Sequence, residues 1–383
     1  MKKNEIYRAY GTDFVDLTLR LLEKAGLWEA VEQKAAALGT DPTELRIALK
    51  PNLVCCTPPE TGATTHTQIA EAVLLFLRRH GCRRLRITEG SWVGDRTEDA
   101  FEYLGWNALA ARLGAEVIDC QKQPSFWADC AGMELSLCEC VRETDFLINL
   151  PVLKGHCQTR VTCALKNLKG LIPNAEKRRF HTMGLHRPIA HLNARIHQDF
   201  IVIDHICGDP SFEEGGDPLV RNCVMAARDP VLTDAYAARL LGYGPEEIPY
   251  IPLAAELGVG SMDLSELCVV TVEGTSPEEL PEARRVLDAA YAVDALDTCS
   301  ACYGMLLGAL TRLKAEYGSL DPITGPIAIG QGWRGRTGRC GVGTCTRLFD
   351  LSVPGCPPTE EAIYTVLRAH WFAPGAVTGD GLL

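Results

Sequence analysis

The sequence predicts an α/β fold with mostly parallel sheets and flanking helices, followed by a small cysteine-rich C-terminal module. Three observations predict it. Short β-branched runs alternate with amphipathic stretches of helical spacing through residues 45–275, the pattern of βαβ units. Polar, chemically versatile residues follow the apolar runs, as expected where ligands bind beyond the C-terminal ends of parallel strands. After Gly274 the composition changes, and five cysteines fall between positions 299 and 356.

Taken in order, LRIALKPNLV (45–54) reads as a strand running into a loop, and QIAEAVLLFLRR (68–79) has apolar residues at helical spacing. RRLRITEG is the next strand, followed by a helix near 98–113 and by the strand AEVIDC. FLINLPVLK (146–154) is a continuous apolar run closed by a proline and a lysine, and DFIVIDHI (199–206) is another. VLTDAYAARLLG predicts a helix that starts just after Pro230 and stops at Gly242, and ELCVVTVEG is the last strand. The polar, proline-bearing SPEELPEARR reads as a connector, which places an α/β domain at 1–285 and the cysteine-rich module at 286–383.

Of the 383 residues, 46% are hydrophobic and 23% charged, with a formal net charge of -11, which argues against nonspecific nucleic-acid binding. No apolar run reaches the ~18–20 residues needed to span a bilayer. The N-terminus MKKNEIYRAYGTDF has lysines but no apolar core behind them. The expectation is a cytoplasmic protein with neither a membrane nor a nucleic-acid partner. Its 17 cysteines are then not structural disulfides, and so many thiols suit an anaerobic host. Cysteines inside apolar runs, such as Cys207 and Cys268, read as small buried hydrophobes.

The C-terminal pattern is C-x2-C (Cys299, Cys302), C-x4-C (Cys340, Cys345) and Cys356 in VPGCPP. The first pair precedes a helix, whose N-terminus favours thiolate. Glycines crowd GQGWRGRTGRCGVGTCT, where backbone N–H groups can approach cluster sulfides. Four thiolates suit zinc or an iron–sulfur centre. Zinc sites commonly pair two C-x2-C knuckles, and this chain has one, so the expected cofactor is an iron–sulfur cluster, 4Fe-4S in the preferred form. Cys299, Cys302, Cys345 and Cys356 are the expected ligands and Cys340 the spare. Gly-Cys-Pro-Pro also resembles a cluster-binding loop in the small subunit of respiratory complex I.

In the α/β domain, Lys154, His156, Thr159, Thr162, Lys166, Asn167 and Lys169 gather after an apolar run, with His181 and His186 in the basic segment behind them. Three lysines and a histidine there predict a pocket for a small carboxylate or phosphate. His66 reads equally as a loop histidine and as a site residue. Asp204 and Asp209 flank a glycine-containing loop where they could hold a cation or orient the lysines. Asp229 reads as a helix cap and Asp234 as a carboxylate favoured by the helix dipole.

KPNLV (50–54), GATTHTQIAEAVL (62–74), NLPVLKGH with TRVTCALKNLKG (149–170), DFIVIDHICG (199–208) and ARDPVLTDAYAARLLG (227–242) resemble the family called domain of unknown function 362. The resemblance covers roughly 45–275 and implies no reaction. His156, Lys166 and His181 are also similar, in order and approximate spacing, to the nickel-pincer lactate racemase family, and THTQ (65–68) is similar to its substrate-side loop. That resemblance implies two α/β lobes with a cleft between them, a covalent role for Lys166 and base roles for histidines. GSWVGDRTED, where that family's second catalytic histidine is expected, contains none. Three functions follow as expectations. The first is a redox enzyme in which the cluster serves a small anionic substrate or cofactor, with Lys166, His156 and His181 catalytic, Lys154, Thr159, Asn167, Lys169, His66 and Asp204 binding, and a ferredoxin-like protein as redox partner. The second is an electron carrier or scaffold without its own substrate. The third is a pincer-type isomerase.

Overall fold

The computed structural model describes residues 1–216, 218–275 and 287–372. The chain divides into two compact units, Met1–Pro281 and Glu282–Leu383. The expected connector SPEELPEARR lies outside the described residues.

The larger unit is built on one eight-stranded sheet. Its strands are β1 (Glu5–Tyr10), β2 (Ile47–Pro51), β3 (Leu85–Glu89), β4 (Glu116–Asp119), β7 (Phe146–Leu150), β10 (Phe200–Gly208), β11 (Leu219–Ala227) and β12 (Cys268–Glu273). Two small antiparallel pairs complete the strands: β5 (Ser125–Asp129) with β6 (Glu134–Cys138), and β8 (Lys154–His156) with β9 (Arg160–Thr162). The sheet order is β12-β1-β11-β10-β7-β2-β3-β4, and β11 alone runs against the others. β2 and β7 are wholly buried, so their near-continuous apolar sequences follow from burial on both faces.

The helices are α1 (Phe14–Ala25), α2 (Leu27–Leu38), α3 (Thr67–Arg79), α4 (Thr97–Tyr103), α5 (Trp106–Leu113), α6 (Ala164–Asn167), α7 (Asn174–Thr182), α8 (His186–Arg195), α9 (Pro230–Leu240) and α10 (Tyr250–Glu256). Leu17, Leu21 and Leu22 of α1 and Ile69, Val73 and Leu77 of α3 pack with Ile47, Leu49, Ile148 and Val202 of the sheet into one core. Asp229 caps α9 through Oδ1, which accepts from Val231 and Leu232 N–H, and Pro230 takes the first helical position.

Three expectations are corrected. The single helix near 98–113 is two, because Gly105 adopts a left-handed φ of 79° between α4 and α5. FLINLPVLK is not one strand: β7 ends before Pro151, which has no N–H for a central ladder, Val152 keeps a lone parallel bridge to Asp204, and Lys154 opens β8 in a separate pair with β9. Cys268 is exposed rather than buried, because it opens β12, an edge strand.

The smaller unit carries a parallel sheet in the order β13 (Val293–Ala295), β14 (Ile327–Ile329), β15 (Cys340–Val342), β16 (Leu351–Val353). Helices α11 (Ser300–Tyr317) and α12 (Glu360–Trp371) bury Leu306, Leu310, Leu313, Ile363 and Leu367. Among the described residues, no helix is long and apolar enough to cross a membrane.

Candidate functional site

In the larger unit β2 leads through α3 to β3 on one side, while β7 leads towards β10 on the other. The β2/β7 junction is therefore a topological switch point, where such sheets open a crevice at their strand C-termini. The residues there form a buried polar network. Lys50, at the end of β2, sets Nζ 2.8 Å from Glu89 Oε2 at the end of β3 and donates to Pro51 O at 2.7 Å. Glu89 also accepts from Leu53 N and Gly90 N. A side chain at Gly170 would collide with both Glu89 and Lys50, so glycine is what lets the 168–171 turn close over this pair.

Asn167 ties the crevice together. Its Nδ2 donates to Asn149 Oδ1 at 2.7 Å and to Lys50 O at 3.1 Å, and its Oδ1 accepts from Asn52 Nδ2 at 3.0 Å. Lys154 is buried and spends its ammonium on Asn52 Oδ1, Ala63 O and Glu213 O; burial holds its pKa down at about 8. Lys177 caps Gly90 O and Ser91 O. Thr159 donates its hydroxyl to Val161 O and its N–H to His156 Nδ1. His66 and Asp204 face each other, Nδ1 to Oδ2 at 2.8 Å; burial opposes the imidazolium, but Asp204 overrides it and raises His66 to about 10. Asp209 turns inward to accept from Ser211 and Phe212 N–H. Asp234 is buried, accepts from Leu165 N, and is pushed by burial up to about 7.

Two lysines remain. Among the described residues, neither Lys166 nor Lys169 has a hydrogen-bond or ion-pair partner, although both are only partly exposed. Burial lowers Lys166 to about 8, and burial together with the charges of Lys166 and Lys177 holds Lys169 well below the usual lysine range. His156 lies in the same field: burial, then Lys166, Lys169 and His181, keep it neutral. The structure thus gathers His156, Lys166, Lys169 and His181, while Lys154, Asn167, Thr159, His66 and Asp204 brace the walls. Glu213 is the carboxylate whose charge acts on both lysines, against the burial that disfavours their charged forms.

Glu213 comes from the loop after β10. Its Oε1 lies 3.3 Å from His156 Nε2 and 3.2 Å from Cys157 Sγ, and the three groups could bracket a metal ion. The histidine argues otherwise. Its Nδ1 accepts from Gln158 N and Thr159 N, which leaves the proton on Nε2, facing Glu213. A metal-bound histidine normally donates from its other nitrogen. The trio is a hydrogen-bonded clasp that pins the loop over β8.

In the smaller unit four thiols follow strand C-termini. Cys299 caps α11 after β13, Cys302 sits in that helix's first turn, Cys345 follows β15 and Cys356 follows β16. Cys299 and Cys302 feel the charges of Cys345 and Cys356, so the four form one electrostatic group. Gln331 Nε2 donates to Cys299 Sγ at 3.3 Å, and Arg334 Nε to Cys345 Sγ at 3.5 Å. Cys340 opens β15 at the other end of that strand, buried, with its pKa raised to about 12 by burial alone. Among the described residues, no three of these sulfurs lie within 4.8 Å of one another. The donor set, thiols that accept N–H bonds, fits an iron–sulfur cluster.

Lys50, Asn52, Glu89, Asn149, Lys177 and Glu213 are the network members that sequence reasoning missed. A lysine inside the apolar run LRIALKP was the available clue for the first. A family model described as domain of unknown function (DUF362) matches residues 47–239. Over 221 residues the chain is 23% identical to the thylakoid-associated protein sll1697 of Synechocystis sp. (strain ATCC 27184 / PCC 6803 / Kazusa), covering 56% of this chain and 68% of that one. No solved structure matches.

Proposed function

The chain belongs to the DUF362 family, a membership that carries no reaction, and from its residues we propose an iron–sulfur redox protein whose α/β unit binds a small anionic substrate or cofactor. The observation that carries the reading is the sorting of the C-terminal cysteines: four gather beyond strand C-termini under Gln331 and Arg334, and Cys340 stands apart. Cys299, Cys302, Cys345 and Cys356 would hold the cluster, 4Fe-4S in the preferred form. When bound, the cluster supplies one-electron chemistry.

The chain's own residues do the rest. Gln331 and Arg334 donate to the ligating sulfurs, which favours the reduced, more negative state. Lys166 and Lys169 hold the anion by charge, and a dianion such as a phosphate ester or a dicarboxylate matches two ammonium groups. His156, kept neutral, and His181 border the anion as proton-handling groups. An electron-carrier reading without a substrate competes with this one, and it predicts that Lys166→Met changes no small-molecule binding. The pincer-isomerase reading is weaker, because His156 Nε2 is committed to Glu213.

The test is an anaerobic absorption spectrum with iron and sulfide counts on wild type, Cys356→Ser and Cys340→Ser. A broad thiolate-to-iron band, lost in Cys356→Ser and kept in Cys340→Ser, supports the reading. Protein that is colourless when purified under argon ends it.

A further inference from the structure

The stretch that carries the last three cysteines has a charge opposite to that of the chain. The protein is acidic overall at -11, yet residues 331–357 contain four arginines, Arg334, Arg336, Arg339 and Arg347, against one carboxylate, Asp350. All four guanidinium-bearing residues are exposed. Three of them lie in the loops that present the cysteines: Arg334 donates to Cys345, Arg336 lies 5.4 Å from the centroid of the Trp333 ring, and Arg347 follows Cys345 by two residues, whereas Arg339 precedes Cys340 at the other end of β15 and donates to Thr324 Oγ1. Trp333 in turn meets Phe349 edge-on at 5.8 Å, which joins the 331–339 loop to the 343–350 loop. Leu348, next to Arg347 in the chain, stands 51% exposed, and Cys356 itself is exposed.

Among the described residues, none of the four arginines is paired with a carboxylate. Elsewhere in the same unit, by contrast, Arg312 meets Glu361 and Arg368 meets Glu316. A cationic rim with an exposed apolar residue next to one of its arginines, at the place where the thiols reach the surface, is the arrangement of a docking face. Its charges steer an oppositely charged partner, and the apolar residue supplies contact once the partner has arrived.

We propose that this rim is the landing site for a small acidic one-electron carrier of the iron–sulfur class. The inference rests on the iron–sulfur reading above. The reduced carrier would give up one electron, which Cys299, Cys302, Cys345 and Cys356 would receive through the cluster they hold when loaded; no bond forms and no proton need move. Nucleic acid, the other polyanion such arginines could attract, is disfavoured because the rest of the chain is acidic.

The experiment is anaerobic stopped-flow reduction of the full-length, cluster-loaded protein by a reduced acidic ferredoxin, at rising ionic strength. Wild type is compared with Arg336→Glu/Arg347→Glu and with the milder Arg336→Gln/Arg347→Gln. Photoreduced deazaflavin, a small neutral reductant, is the control. The expected result is a bimolecular rate that falls with salt in wild type and drops at least tenfold in the glutamate variant. The glutamine variant should be intermediate, and deazaflavin reduction unchanged in all three. A cluster that forms normally yet takes electrons from ferredoxin equally fast in all three proteins overturns the docking face and leaves the iron–sulfur reading standing. A protein without iron overturns both.

Discussion

Lys50 Nζ and Glu89 Oε2 lie 2.8 Å apart at the ends of neighbouring parallel strands, and each residue is at most 2% exposed. Removing one partner of such a pair leaves a buried charge uncompensated, at a cost of about 3–5 kcal/mol. Lys50→Met should therefore lower the midpoint of urea unfolding strongly, and Lys50→Met/Glu89→Leu should recover much of the loss. Gly170→Ala should act like the single variant, because the added methyl occupies the space of the pair. Equal stability of Lys50→Met and wild type would remove the pair from the foundations of the crevice.

Lys166, at about 8, loses its proton within an accessible range. Affinity for inorganic phosphate or a small dicarboxylate, read by calorimetry, should fall as pH rises through about 8. Lys166→Met should weaken binding about 10- to 100-fold, the worth of one charged hydrogen bond. Lys166→Arg, which stays charged, should bind without the fall near pH 8. Lys154→Met should instead lower thermal stability, because its ammonium is held by three protein oxygens.

The His66–Asp204 pair sets a second pH limb. His66 is raised from an ordinary 6.5 to about 10. A raised folded-state value means the pair's contribution is complete below pH 6.5 and is lost as pH climbs through about 10. The stability gap between wild type and His66→Gln should be widest near pH 6 and narrow steadily towards pH 10. A gap that is flat across this range would show that the imidazolium is not what Asp204 holds.

Cys340→Ser should leave iron content unchanged, while each of the Cys299, Cys302, Cys345 and Cys356 serine variants should lose iron or bind it labile to chelator. Arg334→Gln should keep iron but lower the reduction potential, since a positive charge next to a ligating sulfur favours the more negative state. An unchanged potential would mean that Arg334 does not face the cluster.

Much of this was legible in the sequence because the local patterns and the tertiary outcome agree. Alternation of apolar runs and amphipathic stretches gave the parallel sheet, and Asp229-Pro230 marked the start of α9. Cys340 was set apart because its glycine- and arginine-rich surroundings read as a loose loop, whereas it is buried in β15, at the end opposite Cys345. What could not be read was which charges are already spent. Lys154, Lys166 and Lys169 look alike in sequence, yet Lys154 is consumed by Asn52, Ala63 and Glu213, which come from segments up to 102 residues away. The Glu213 clasp was hidden for the same reason: its partners lie 56 residues back, in β8 and the turn after it. Cys268 was misjudged because an edge strand and a central strand can share one apolar pattern.

The placement of β1 has a consequence for how the chain is made. Its six residues pair with β11 and β12, more than 200 residues later in the chain. The crevice strands β2, β3 and β7 lie within about 100 residues of one another and can pair long before that. That first segment must therefore wait, unpaired and half apolar, until Leu219–Ala227 has emerged. A nascent chain halted before that point would hold an assembled crevice and an orphan first strand, and it is this waiting strand that a ribosome-associated chaperone would find to hold.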